Sequence, residues 1–203
     1  MVNLARNRAI PTSFETERLF VRRYVIADAR NLYTAARESI NEVYPFLPWC
    51  HPNYDIEDAR FWIRAVEPDW KDGNTYSFAI YDRNDRTRLL GGCGVSRYDE
   101  HPVVNLGYWI RTSETGNGVA TEATIGLATF AFNHLDIART EIVMSIRNDA
   151  SRRVAERSGA TFEGRLANRL RIHGKLHDAF MYSLTPGQPS SGVTAHSANG
   201  RNP

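Results

Sequence analysis

Two stretches of the chain hold residue types that could do chemistry. The first is Leu106–Ala123, LGYWIRTSETGNGVATEA. Its apolar run ends at Ile110, a polar turn with Gly116 and Gly118 follows, and an alanine-rich helical pattern starts near Gly118. A glycine-rich strand-to-helix turn presents bare backbone N–H groups at the positive end of a helix, which suits a phosphate or pyrophosphate. Gly-Asn-Gly is also an ordinary turn sequence, and both readings stand on this segment alone. Two familiar phosphate loops are excluded. A P-loop needs GxxxxGK before Ser or Thr, and no Lys lies between Asp72 and Gly174. The dinucleotide fingerprint needs GxGxxG after a strand, whereas Gly116-x-Gly118-x-Ala120 is compressed. That spacing suits a pyrophosphate wrapped by consecutive amides at the first turn of one helix. The second stretch is Arg147–Leu166, RNDASRRVAERSGATFEGRL. Asn148 can start a turn or cap a helix, and Ser151, three residues on, lies about one helical turn away.

These residues need elements to hold them. Arg139–Ile146 reads as a strand through Ile142, Val143, Met144 and Ile146. Ser151–Arg157 reads as a short helix with Val154 and Ala155 inward and arginines outward. Gly159 stands at its C-terminus, and Ala160-Thr161-Phe162 begins another strand. Upstream, Arg18–Tyr24 is the first strand and Ala27–Glu38 a helix through Ala29, Leu32, Tyr33 and Ala36. Residues 39–54 are aromatic and broken by Pro, which predicts no regular element: a surface cover for the core or a wall of a substrate groove. Ile56–Val66 is a second helix with Ala59, Trp62 and Ile63 on one face. Thr75–Asp82 alternates as a half-buried strand, and Arg83–Arg86 is a turn. Leu89–Tyr98 is a strand interrupted by Gly91, Gly92 and Gly94, which marks a bulge or the close approach of a backbone or ligand. Val103–Ile110 is a strand leading into the glycine turn, Thr121–Leu135 a helix, and Leu176–Leu184 the last strand. Early and mid-chain helices with mostly hairpin-linked strands between them give an α+β order. Residues 1–12 read as a flexible arm and 187–203, rich in Gly, Ser and Pro, as a disordered tail around a domain over 13–186.

Bulk composition narrows the class. The 203 residues suffice for one domain with a sizeable core, and 42% hydrophobic with 24% charged residues is ordinary for a globular protein. A net charge of +2 gives no global case for nucleic acid. Cys50 and Cys93 form neither a disulfide framework nor a zinc spacing, and free thiols fit the cytoplasm. The opening MVNLARNRAIPTS lacks a signal peptide's apolar core, and no apolar run approaches the ~20 residues of a membrane span.

In these two stretches the chain resembles the GNAT N-acetyltransferase superfamily, and within it the RimJ/RimL branch of ribosomal-protein N-terminal acetyltransferases. The superfamily's acetyl-CoA loop, Q/R-x-x-G-x-G/A, falls on Thr115–Ala120, where Gly118 and Ala120 match and Thr115 departs from Gln or Arg. The branch's N-x-x-S-x-x-V falls on Asn148–Val154 and its following Gly on Gly159. Its T-x-R-L-x-x-R falls on Thr16–Arg22 and its Pro-Trp on Pro48-Trp49. Glu163-Gly164 and Gly174-x-x-x-Asp178 match its last segment. The resemblance covers roughly residues 13–186. It implies a mixed, mostly antiparallel sheet flanked by helices and splayed at the acetyl-CoA site. Acetyl-CoA is the implied co-substrate, with no metal.

The implied roles follow residue by residue. Tyr108, Trp109 and Ile110 would lie along the pantetheine, and Gly116, Asn117, Gly118, Val119, Ala120 and Thr121 would wrap the pyrophosphate. The Asn148 amide would meet a pantetheine amide, unless it is an ordinary turn residue. Ser151 would protonate the leaving thiolate; the superfamily's more common acid, a Tyr four residues on, is Ala155 here. A thiol pKa of about 8.5 makes modest help sufficient. Phe46, Leu47 and Trp49 would border the acceptor. The arginines 147, 152, 153, 157 and 165 are either a solvated face or a site for CoA's 3′-phosphate or an acidic partner. The base is the open position. The branch pattern implies a carboxylate where Leu170 stands, so Glu100, with Asp99, is the fallback, against a plain solvated hairpin charge; His101 and His173 are further candidates. At pH 7 roughly a tenth of an α-amine of pKa ~8 is neutral, against well under a thousandth of a Lys at ~10.4, a difference of about 3 kcal/mol. A site without an obvious strong base therefore suits an α-amine. The expected acceptor is a protein N-terminus, with a small-molecule amine or an idle acyl-CoA-binding module as rivals; a homodimer is compatible with it, and neither nucleic acid nor membrane is expected as a partner.

Overall fold

The computed structural model describes residues 10–97 and 100–187. Most of the expected arm and tail, and Asp99, thus lie outside the described residues. Eight strands form one sheet in the order β1 (Ser13–Glu15), β2 (Leu19–Arg23), β3 (Thr75–Asp82), β4 (Leu89–Ser96), β5 (Val103–Ile110), β6 (Arg139–Ser145), β8 (Lys175–Leu184), β7 (Thr161–Ile172). Every neighbouring pair is antiparallel except β5 and β6, which run parallel and touch only at Val103↔Arg139, Val104↔Thr140 and Asn105↔Glu141. This is the mixed, mostly antiparallel α+β sheet expected, splayed beyond Asn105.

Helices cover both faces. On one lie α4 (Val119–His134) and α5 (Asp149–Arg157), over a core including Phe78, Ile80, Leu106, Leu127 and Ile142. On the other lie α1 (Ala29–Glu38), the single turn α2 (Ile40–Val43) and α3 (Ile56–Asp72), over Leu32, Ile63, Ala79, Tyr81 and Leu89. This two-sided cover explains why β3, expected to be half-buried, has four consecutive buried residues from Phe78 to Tyr81.

Four elements depart from the sequence reading. The strand expected to be first, β2, is preceded by the three-residue β1, which pairs with it from Ser13 to Glu15. The helix expected to stop at Val66 continues to Asp72 through Pro68. Proline forfeits a helical hydrogen bond, but Trp70 beyond it packs edge-on against Tyr76 at 5.0 Å and Phe78 at 5.1 Å, and Gly73 at φ +74° ends the helix. Residues 40–43, which precede the prolines, form α2, with Ser39 Oγ donating to the Ala35 carbonyl at 2.7 Å behind it. The strand starting at Thr161 runs twelve residues, with a register shift between Leu166 and Leu170. Asp178 holds that bulge by accepting from Asn168 N–H at 2.9 Å and Arg165 Nε at 2.8 Å.

The glycines of β4 mark the close approach of a backbone. A Cβ on Gly91 would collide with the Trp109 carbonyl, and one on Gly92 with the Tyr24 hydroxyl and, at 2.7 Å, Trp109 Nε1. The Trp109 indole therefore occupies the space that a side chain at Gly92 would fill.

Candidate active site

Beyond Asn105 the edge of β5 that faces β6 has no strand partner, while its other edge stays paired with β4 as far as Ile110↔Gly91. An exposed strand edge offers main-chain donors and acceptors to an extended, amide-bearing ligand. The strand then runs through Arg111 and a 3-10 turn (Thr112–Glu114) into Gly116 at φ +82° and Gly118 at φ +77°, the N-cap of α4. Gly118 caps without a side chain, and among the described residues the N–H groups of Gly116 to Thr121 have no acceptor. A Cβ on Gly107 or Gly116 would meet nothing within 4 Å. Val119 is buried in the core, so only its backbone is available. An open strand edge ending in bare amides at a helix N-terminus fits a chain with internal amides that ends in a diphosphate.

The turn is held from the side by residues that are not among the candidates for the site. Arg18 Nε donates to Glu122 Oε2 at 2.6 Å and its Nη1 to the Asn117 carbonyl at 2.9 Å. Thr16 Oγ1 donates to Glu122 Oε1 at 2.6 Å. The T-x-R-L motif was the signal; its use as a brace on α4 depends on packing between β2 and α4. A second brace fixes Arg111, which ion-pairs with Glu38 through Nε (3.0 Å) and Nη2. Glu38 also accepts Ser113 N–H at 2.8 Å, and these bonds hold its carboxyl down at about 2.

Asn148 is the N-cap of α5: its Oδ1 accepts Ser151 N–H at 3.0 Å. That commits the side-chain carbonyl and leaves the amide nitrogen without a protein partner among the described residues. Ser151 Oγ lies 3.0 Å from the Tyr108 hydroxyl, which also lies 3.2 Å from the Ser151 carbonyl. Burial pushes the Tyr108 phenol up to about 12, and the bond to Ser151 opposes this. Strand β5 and helix α5 thus bring Tyr108, Asn148 and Ser151 together on one face of the splay. Ile110 packs into the same core.

Trp109 points to the opposite face, where its ring meets Trp49 at 5.3 Å; Trp49 also packs edge-on against Tyr54 at 5.6 Å. Leu47 joins the core there and Phe46 is half-buried. The 39–54 segment is thus a cover for the core that also reaches the splayed strand. The β7–β8 turn closes over it: His173 Nε2 lies 2.9 Å from the Tyr44 carbonyl, and the rings of Tyr44 and His173 are 4.3 Å apart.

Glu100 is not brought to this place. It is exposed before Val103, at the paired end of β5, and Tyr108 lies five residues further along, roughly 17 Å at a strand's rise. His101 is exposed beside it. Leu170 stands opposite His177 in the β7–β8 pair. Among the described residues no cluster of His, Cys, Asp or Glu could hold a metal ion, and no helix is long and apolar enough to cross a membrane.

The family model described as "Acetyltransferase (GNAT) domain" matches residues 18–161. The chain is similar to the Bacillus subtilis protein named "Putative ribosomal N-acetyltransferase YdaF", with 39% identity over 132 residues, 62% of this chain and 70% of that one. A Vibrio cholerae structure described as a "putative ribosomal-protein-serine acetyltransferase" superposes with TM-score 0.74 at 25% identity, covering 88% of this chain and 100% of that one. A Salmonella typhimurium acetyl transferase, described as modifying the N-terminal serine of ribosomal protein L7/L12, shares the fold with TM-score 0.75 at 21% identity, covering 87% and 98%.

Proposed function

The chain belongs to the GNAT acetyltransferase family and is an acetyl-CoA-dependent N-acetyltransferase; on that premise we propose that its acceptor is the N-terminal α-amine of a protein, of the ribosomal-protein type. The observation that carries this reading is the two-sided splay. One face holds Ser151 and Tyr108, the other the aromatic floor of Trp109 and Trp49, with the open edge of β5 between them.

Each residue has a task that follows from its place. The N–H groups of Gly116 to Thr121 receive the pyrophosphate, and the free edge of β5 receives the pantetheine amides. The Asn148 amide nitrogen donates toward the same arm. Trp49 and Trp109 pack the first residue of the acceptor so that its amine points into the splay. Ser151 gives a proton to the departing sulfur.

Two carboxylates beside the splayed strands, Glu38 against Arg111 and Asp178 on β8, support an α-amine over a lysine. Glu38 is committed to Arg111 and Ser113 and held at about 2. Asp178 is committed to Arg165 and Asn168 N–H and held below its ordinary value, the backbone bond contributing most. Both are weak bases, and an α-amine needs about 3 kcal/mol less help than a lysine at neutral pH. The similarity to YdaF supports the ribosomal type. Two free, buried cysteines support a cytoplasmic setting.

The test is thiol release from acetyl-CoA across three acceptor sets: peptides with free N-termini, the same peptides N-blocked but carrying Lys, and small-molecule amines. Turnover of the first set at pH 7, without turnover of the second, is expected. Turnover of small amines alone would overturn the reading.

A further inference from the structure

Tyr108 is more than a wall of the splay. Its phenol has one proton and two acceptors within reach, the Ser151 carbonyl at 3.2 Å and Ser151 Oγ at 3.0 Å. If the proton goes to the carbonyl, Ser151 must donate its own proton to Tyr108 and has none to offer elsewhere. If the proton goes to Oγ, the serine proton is free to turn into the splay. The backbone of Ser151 is fixed by Asn148 at the first turn of α5, so this choice is made by hydroxyl rotation alone.

We propose that Tyr108 and Ser151 form a two-hydroxyl proton relay in which Tyr108 acts through Ser151 as a positioning residue for the leaving group's proton. The inference rests on Ser151 being the proton donor to the departing sulfur. Once the acceptor nitrogen has bonded to the acetyl carbon, the carbon–sulfur bond breaks with its electron pair left on sulfur; Ser151 passes its Oγ proton to the sulfur and Tyr108 passes its Oη proton to Ser151. The acceptor nitrogen loses one proton to solvent, and solvent returns one to Tyr108, so protons balance over a turnover. Even raised to about 12 by burial, the phenol is a stronger acid than an aliphatic hydroxyl, so the relay avoids leaving an alkoxide on Ser151. Burial keeps Tyr108 protonated over the working pH range, so the donor is always loaded.

The test compares the wild type with Ser151→Ala, Tyr108→Phe and the double variant, using acetyl-CoA and an acceptor peptide that the wild type takes. Each single variant is expected to lower kcat by about tenfold, near the size of one lost hydrogen bond in a catalytic step, with acetyl-CoA KM within about twofold. The double variant should be no slower than Ser151→Ala alone, because the two residues act as a unit. The rate against deuterium fraction should curve in the wild type, with two protons in flight, and become linear in Tyr108→Phe. Replacing Tyr108 with 3-fluorotyrosine restores the donor in the same volume and should restore kcat, which separates a lost relay from a disturbed core. A Tyr108→Phe protein with wild-type kcat, or losses that multiply in the double variant, would overturn the relay while leaving Ser151 in its role. Wild-type kcat in Ser151→Ala would overturn the underlying assignment and the relay with it.

Discussion

Arg18 reaches from the residue before β2 to the turn before α4, with Nε on Glu122 at 2.6 Å and Nη1 on the Asn117 carbonyl at 2.9 Å. One guanidinium thus fixes both the first turn of the helix and the carbonyl between the two glycines. Lysine can supply one such contact but not the fork. Arg18→Lys is therefore expected to raise acetyl-CoA KM by about threefold to tenfold with kcat unchanged, since a looser turn weakens binding in ground and transition states alike. A fall in kcat at constant KM would contradict this.

Gly118 combines φ +77° with a space in which a Cβ would lie 3.3 Å from Arg18 Nη2. A β-branched residue there is strained whatever room it finds. Gly118→Val should weaken acetyl-CoA binding at least about tenfold by calorimetry, by re-aiming the amides that face the phosphates, while the sheet still folds. Unchanged affinity would remove those amides from the binding site.

Trp49 touches both the core on the α1–α3 face and Trp109 on the splayed strand. Trp49→Ala should lower Tm and also raise acceptor KM by roughly tenfold, a contact worth on the order of 1–2 kcal/mol. Acetyl-CoA KM should hold steady, as the cofactor edge of β5 is untouched. A lower Tm with unchanged acceptor KM for the folded enzyme would make Trp49 a cover only.

Glu38 is held at about 2 by Arg111 and Ser113, against an ordinary value of 4.5. A depressed carboxyl stabilises the fold fully above its ordinary value and loses that contribution as pH falls toward its folded value. Glu38→Gln should thus cost stability at pH 7 and progressively less between pH 4.5 and about 2. The cost at pH 7 should be about 1–2 kcal/mol, below that of a fully buried pair because the Glu38 side chain is 30% exposed. Urea melts of both proteins across that window measure it; a difference that does not shrink on acidification would mean the carboxylate charge is not what holds Arg111.

The elements were legible where one residue's neighbours in sequence decide its place. The strands Thr75–Asp82 and Val103–Ile110 and the turn into α4 could be read from alternation and from glycine spacing. Helix α3 was misread at its end because Pro68 is a local signal, whereas Trp70 packing on Phe78 is a tertiary one that outweighs it. The site divides in the same way. Asn148 and Ser151 lie three residues apart and are joined by a cap that the spacing implies. Tyr108 and Ser151 lie 43 residues apart, and no periodicity gives the rotation of α5 over β5. Glu100 was suggested by its sequence proximity to β5, but a strand carries its two ends apart.

The sheet is joined at its middle by three residue pairs only, Val103 to Asn105 against Arg139 to Glu141. The strand ladder thus divides into β1–β5 and β6–β8 at a narrow seam, while α4 and the core beneath it pack across both halves. A ligand that bonds along the open edge of β5 acts as an added strand and stiffens that seam. Acetyl-CoA should therefore slow amide exchange in β5 and β6 beyond the residues it touches.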